Sequence, residues 1–223
     1  MKKVIVYDLL IYMAVPYFIW NYGREPLGDY AALLLSTVPG LLYTLFRFIH
    51  ERQFNITGAF ILVSLLIDTL VNLLSGSAER MLWNQVYLGY GYALLYLISI
   101  LLKKPLGLYF GVDFAYMLGN PREPSKKLFF SKELFTWFQL VTLLLVIRGI
   151  VQNTFKFWLI DSYGVDGYGQ MLIYLKISGG VFSILITSLN LFIGHKVVQV
   201  SRTQAAKDTC LQSIEEKAHQ PLT

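Results

Sequence analysis

The segment ITGAFILVSLLIDTLVNLL, residues 56–74, holds one charged side chain and follows neither strand alternation nor a single apolar stripe. As a helix it is about 28 Å long, close to the ~30 Å hydrocarbon layer of a bilayer. Five further oily runs share its character: Val4 to Trp20, Ala31 to Phe48, Val86 to Leu102, Leu134 to Ile147 and Ile177 to Gly194. Charged residues make up 15% of the chain and hydrophobic residues 55%, too little charge for the exterior of a soluble domain. Lipid offers no partner to backbone N–H and C=O groups, so the runs should be helices, and the short alternating segments of a β-barrel are missing. The sequence predicts an all-α, polytopic membrane bundle: six transmembrane helices within residues 1–195 and a polar tail over 196–223.

Two lysines precede the first run, but the chain continues as VPYFIWNYGREP without a small-residue cleavage site, so the run reads as a retained helix. The fifth run is short and reaches spanning length if its helix takes in LFFSKE before it or RGIVQ after it. Basic residues set the orientation. With the N-terminus inside, the inner segments hold Lys2, Lys3, Arg47, Arg52, Lys103, Lys104, Arg122, Lys126, Lys127, Lys132, Lys196, Arg202, Lys207 and Lys217. The outer segments hold Arg24, Arg80, Arg148, Lys156 and Lys176. That bias predicts both termini in the cytoplasm. The basic residues are dispersed among loops, so the pI near 9.2 reflects topology and lipid headgroups, with no nucleic-acid partner.

Between the fourth and fifth runs the chain reads SILLKKPLGLYFGVDFAYMLGNP. If Pro105 to Gly119 crossed the bilayer, Lys126, Lys127, Lys132 and the basic tail would all change sides. The segment is also too short to span. It is expected to be an interfacial or re-entrant helix, with Leu106, Phe110, Phe114, Met117 and Leu118 entering the lipid boundary while Tyr109 and Asp113 face elsewhere.

Polar residues inside the oily runs are the candidates for function. Ser64, Asp68 and Asn72 are spaced by four and share a helical face. A carboxylate in hydrocarbon must be neutral, paired or beside water, which suits proton relay or cation coordination and equally suits a structural bond between helices. In the second run Ser36, Gly40, Tyr43 and Arg47 share a face, and Pro39 removes one backbone bond. Asp8 near the start of the first run could pair with Arg47. Thr187 and Asn190, with Ser183, mark a polar side of the sixth run that would line a path or hold the bundle together. The candidate polar pathway thus comprises Asp68, Asn72, Ser64, Ser36, Arg47, Asp8, Thr187 and Asn190.

No nucleotide-binding glycine loop, nucleophile elbow or HExxH motif occurs, so no cofactor or metal is expected. His50, His195 and His219 lack metal-ligand spacing, and Cys210 is the only cysteine. A lipid-modifying enzyme would need Asp113 to work with a second group, for which His50 is the candidate.

The fragments DLL, REPLGDYAALLLSTVPGLLYTLFRFI, NITG, LLSGSAERMLW and LLKKPLGLYF occur in order. Over residues 8 to about 110 this layout resembles a bacterial inner-membrane family related to intracellular septation protein A. The family-like positions are Asp8, Pro16, Gly28, Asp29, Ser36, Pro39, Arg47, Gly58, Ser75, Gly76, Arg80, Lys104 and Pro105; Lys104 stands where the family often has arginine. The resemblance implies a multi-pass protein of the bacterial inner (cytoplasmic) membrane with an envelope or division-associated setting. Two functions remain open. One is a small ion- or proton-coupled permease for a small solute or cation. The other is a non-catalytic protein that binds other membrane proteins or a second copy of itself within the lipid bilayer.

Overall fold

A computed structural model describes residues 10–50 and 55–218, with side chains through residue 203. One π-helical turn, Leu10–Ala14, leads into α1 (Val15–Leu27), α2 (Asp29–His50), α3 (Ile56–Leu74), α4 (Ala78–Leu101), α5 (Leu106–Met117), α6 (Arg122–Phe129) and α7 (Lys132–Tyr163). A 3-10 turn at Val165–Gly167 then precedes α8 (Tyr168–Ala218). The protein is an all-α, multi-pass membrane bundle. Among the described residues four helical stretches are long and apolar enough to cross a bilayer: Asp29–His50, Ile56–Leu74, Lys132–Tyr163 and Val165–Thr203. The bent pair α4 and α5 brings the number to five if it counts as one span. The first predicted run, Val4 to Trp20, begins outside the described residues.

Local chemistry sets the helix ends. Asn55 starts α3 by accepting the Gly58 N–H at 2.7 Å, and Ser77 starts α4 by accepting that of Arg80 at 3.3 Å. Gly28, at φ 79°, closes α1 with its N–H on the Arg24 carbonyl, a backbone angle that side chains rarely adopt. The LLKKP stretch ends α4. Lys104 N–H reaches the Ser99 carbonyl and Lys103 N–H reaches that of Ile100, both at 2.9 Å, with Lys103 left-handed at φ 56°. Pro105 then prevents continuation, and α5 leaves at 88° to α4.

Helix α5 therefore occupies the segment expected to be interfacial or re-entrant. Phe114, Met117 and Leu118 are exposed, whereas Gly107, Leu108, Val112 and Asp113 are buried. Asp113 accepts from the Thr57 N–H and hydroxyl at 2.8 and 2.9 Å, so it caps α3 and ties it to α5. Arg122 lies 3.8 Å from its other oxygen. His50 stacks on Phe46, with ring centroids 5.6 Å apart. Asp113 and His50 thus make separate contacts.

Helix α7 is the central strut, packed along α4 on one side and α8 on the other. Two apolar clusters grip it. Leu159 and Ile160 join Trp20, Leu33, Met81, Leu82 and Met171 at one end. Leu134, Phe138 and Val141 join Leu108, Phe129 and Ile193 at the other. The clusters stand about 27 Å apart along α7, measured from Val141 to Leu159 by the helical rise. Arg24 staples the first end by bonding Asp29 and Asp166, which pushes its pKa further above the usual arginine value.

Lipid-embedded helices gain nothing from hiding apolar surface from lipid, so close contact depends on small residues. At Gly149 of α7 an added Cβ would sit 2.9 Å from the Ala93 Cβ of α4. Gly149→Val should therefore lower the unfolding midpoint in detergent, at a cost of about 1–3 kcal/mol. Gly91→Ala, whose methyl would meet nothing within 4 Å, should leave the midpoint unchanged or slightly raised.

Candidate functional site

Polar side chains collect in the section of α7 between the two apolar clusters. The face of α3 that carries Ser64, Asp68 and Asn72 meets α4. Tyr92 Oη donates to Asp68 Oδ1 at 2.9 Å and lies 3.2 Å from the Ser64 carbonyl oxygen. Asn72 is buried; its Oδ1 accepts from Gln85 Nε2 at 3.0 Å. Gln85 Oε1 in turn accepts from Lys156 Nζ at 2.5 Å. Asp68 and Lys156 lie within Coulombic reach of each other. Three helices thus carry two hydrogen-bonded chains, Asp68–Tyr92 and Asn72–Gln85–Lys156, which meet only through the electrostatic attraction of Asp68 and Lys156.

The network borders a cavity of about 450 Å³ whose lining includes Arg148, Gln152, Asn153 and Lys156 from α7, Lys176 and Ser183 from α8, and Tyr12 from the N-terminal turn. Glycines admit the polar groups. An added Cβ at Gly89 would fall 2.0 Å from Asn153 Oδ1, and one at Gly179 would fall 2.9 Å from Gln152 Nε2. Tyr12 is held by a 2.7 Å bond to the Thr44 hydroxyl and by edge contact with Tyr43. Its ring faces Lys176 Nζ at 5.4 Å. A separate hollow of about 350 Å³ beside Val71, Leu74, Asn84, Tyr87 and Leu88 carries no charged group in its lining.

The remaining predicted residues lie elsewhere. Ser36 is buried, donating to the Leu33 carbonyl at 2.6 Å and standing 3.2 Å from Tyr168 Oη. Arg47 stacks over Tyr43 with 6.0 Å from Cζ to the ring centroid. Asp8, and with it the Asp8–Arg47 pair, falls outside the described residues. Thr187 and Asn190 are exposed on α8, where Asn190 donates to the Ile186 carbonyl. They do not converge with Asp68.

Sequence reasoning missed Gln85, Lys156, Arg148 and Lys176 as members of this site. The sequence assigns the three basic residues among them to an outer segment, but α7 continues unbroken to Tyr163 and α8 begins at Tyr168, so all three lie inside helices. By the helical rise Lys156 is about 10 Å and Arg148 about 22 Å from the Tyr163 end of α7, and Lys176 is about 12 Å into α8. One signal was present: nothing between Gly149 and Gly164 breaks a helix.

These features define a class: a polytopic α-helical membrane protein with a charged network and a basic cavity between its helices. No known protein family, curated protein sequence or solved structure matches the chain.

Removing either partner of the Asp68–Tyr92 bond should expose its value. In a double-mutant cycle of Asp68→Asn and Tyr92→Phe, chemical unfolding in detergent should give a coupling of about 1–3 kcal/mol. A coupling near zero would mean that the bond contributes nothing to the fold.

Proposed function

We propose that this chain is a small ion- or proton-coupled permease of the bacterial inner membrane, crossing it six times with both termini in the cytoplasm. The observation that carries the reading is the position of Lys156, which bonds Gln85, lies within electrostatic reach of Asp68 and also lines the cavity. Acids and bases inside membrane helices are costly, and they typically mark solute or proton paths. The apolar clusters at the two ends of α7 support it further, because a carrier must close on either side of its site.

The six-span arrangement takes the five described candidates together with the first oily run, which leads into α1. In this arrangement the 88° elbow before α5 would keep Lys126, Lys127 and Lys132 on the side of Lys103 and Lys104, as the basic bias asks. Sidedness is open to direct measurement. In a Cys210→Ser background, an impermeant thiol reagent applied to intact cells should label Gly28→Cys and spare Gly119→Cys. The reverse pattern would overturn the orientation.

A second reading is favoured by Thr187 and Asn190, polar groups directed outward from a span, as a contact with another membrane protein or a second copy would require. The resemblance to the septation protein A family would place such a contact in the envelope. Proteoliposomes separate the two readings. Under imposed gradients of alkali cations, amino acids and small organic anions, a permease should give flux above protein-free vesicles, and Asp68→Asn should reduce it at least tenfold while leaving the folded yield intact. Flat traces for every solute, with disulfide capture of a dimer through Asn190→Cys, would favour the interaction protein.

A further inference from the structure

Three cations line the cavity between α7 and α8, and among the described residues its lining holds no carboxylate. Arg148 and Lys156 are half-buried and Lys176 is exposed, and like charges gathered around one cavity repel one another, so such a set favours a countercharge. The protein supplies little of it. Lys156 has Gln85 as its hydrogen-bond acceptor and Asp68 within Coulombic reach. Arg148 gives only its Nε–H, to Gln152 Oε1 at 3.4 Å; among the described residues its terminal nitrogens make no hydrogen bond. Lys176 likewise makes no hydrogen bond or ion pair among them and rests on the face of Tyr12. Among the described residues, three cations against one nearby acid leave a surplus that matches a dianion.

We propose that this cavity is a binding site for a small oxyanion carrying about two negative charges, such as a phosphate group, held by the Arg148 fork and the Lys156 and Lys176 ammonium groups. Gln152, Asn153 and Ser183 supply neutral polar groups around it. The volume of about 450 Å³ is in the range of small-ligand sites and exceeds a bare phosphate, so the anion has room for an organic portion. Gly180 also lines the cavity, and an added Cβ there would meet nothing within 4 Å, which marks open space on the α8 wall. The same oxyanion chemistry is offered by a free phosphorylated solute and by an anionic lipid headgroup entering from the side.

The proposal deepens the permease reading by naming its solute class, and it rests on that reading only for movement across the bilayer. Equilibrium binding is therefore the test, because it succeeds or fails whether or not flux occurs. Delipidated protein in neutral detergent should bind inorganic phosphate saturably by calorimetry, at an ionic strength held constant with sodium chloride. Lys176→Met and Arg148→Met should weaken binding at least tenfold, while Arg80→Met, on the exposed start of α4, should not change it. If the charge variants fail to fold, Gly180→Leu keeps all three cations and fills the cavity; it too should abolish binding. A second arm reconstitutes the protein in nanodiscs of phosphatidylcholine with phosphatidylglycerol and counts retained lipids by native mass spectrometry. Phosphate binding sensitive to these variants assigns the site to a free solute. Phosphatidylglycerol retained by the wild type and lost in Gly180→Leu assigns it to a headgroup. Binding that Gly180→Leu leaves unchanged, or no binding in either arm, overturns the proposal.

Discussion

Helices α4 and α7 meet where Gly149 opposes Ala93, an approach close enough to bring polar side chains on the two helices within reach of one another. Two helices in lipid are not pushed together by water, so dispersion at small residues and hydrogen bonds between facing side chains must hold them. Gly149 supplies the first. Gly89 adds a notch that receives Asn153, and the Tyr90–Thr154 bond at 2.9 Å continues the seam. A bulky residue at Gly149 would separate the helices. The separation would carry Lys156 away from Gln85 and open the chain of contacts that ends at Asn72.

The polar section between the apolar clusters is organised by what lipid and packed carbon exclude. At one end Trp20, Met81, Leu82 and Leu159 close around α7; at the other Phe129, Phe138 and Val141 do so. Charges between them are poorly screened, so each pairing is stronger there and each missing pairing more costly. Asp68, Asn72 and Gln85 are satisfied within the bundle. Among the described residues Arg148 bonds only Gln152 and Lys176 rests only on Tyr12, and the difference separates groups that support the fold from groups available for a ligand.

Much of the fold was legible because lipid imposes a length. The third oily run and α3 have the same bounds, Ile56 to Leu74, since Asn55 caps one end and the SGS turn follows the other. Helix α4 begins earlier than its oily run, at Ala78, because Ser77 starts it and its first turns face protein partners such as Asn72. Hydropathy could not see those polar turns. The same blindness broke α7 at Ile147, where Arg148 lowers the average although the backbone continues to Tyr163. The spacing of Ser64, Asp68 and Asn72 places them on one face. Their partners Tyr92 and Gln85 come from another helix, and no local pattern specifies how two helices are rotated about their axes.

Helix α8 runs from Tyr168 to Ala218 without interruption, about 77 Å by the helical rise and well over twice the thickness of the hydrocarbon layer. Lys176 and Ser183 on the cavity wall therefore belong to the same rod as residues far outside the lipid. A rod acts as a lever: pivoting by a few degrees at the cavity would sweep its distant tip through several ångströms. To the extent that the helix is stiff, a pivot at the cavity and the position of the tail move together, with no hinge between them.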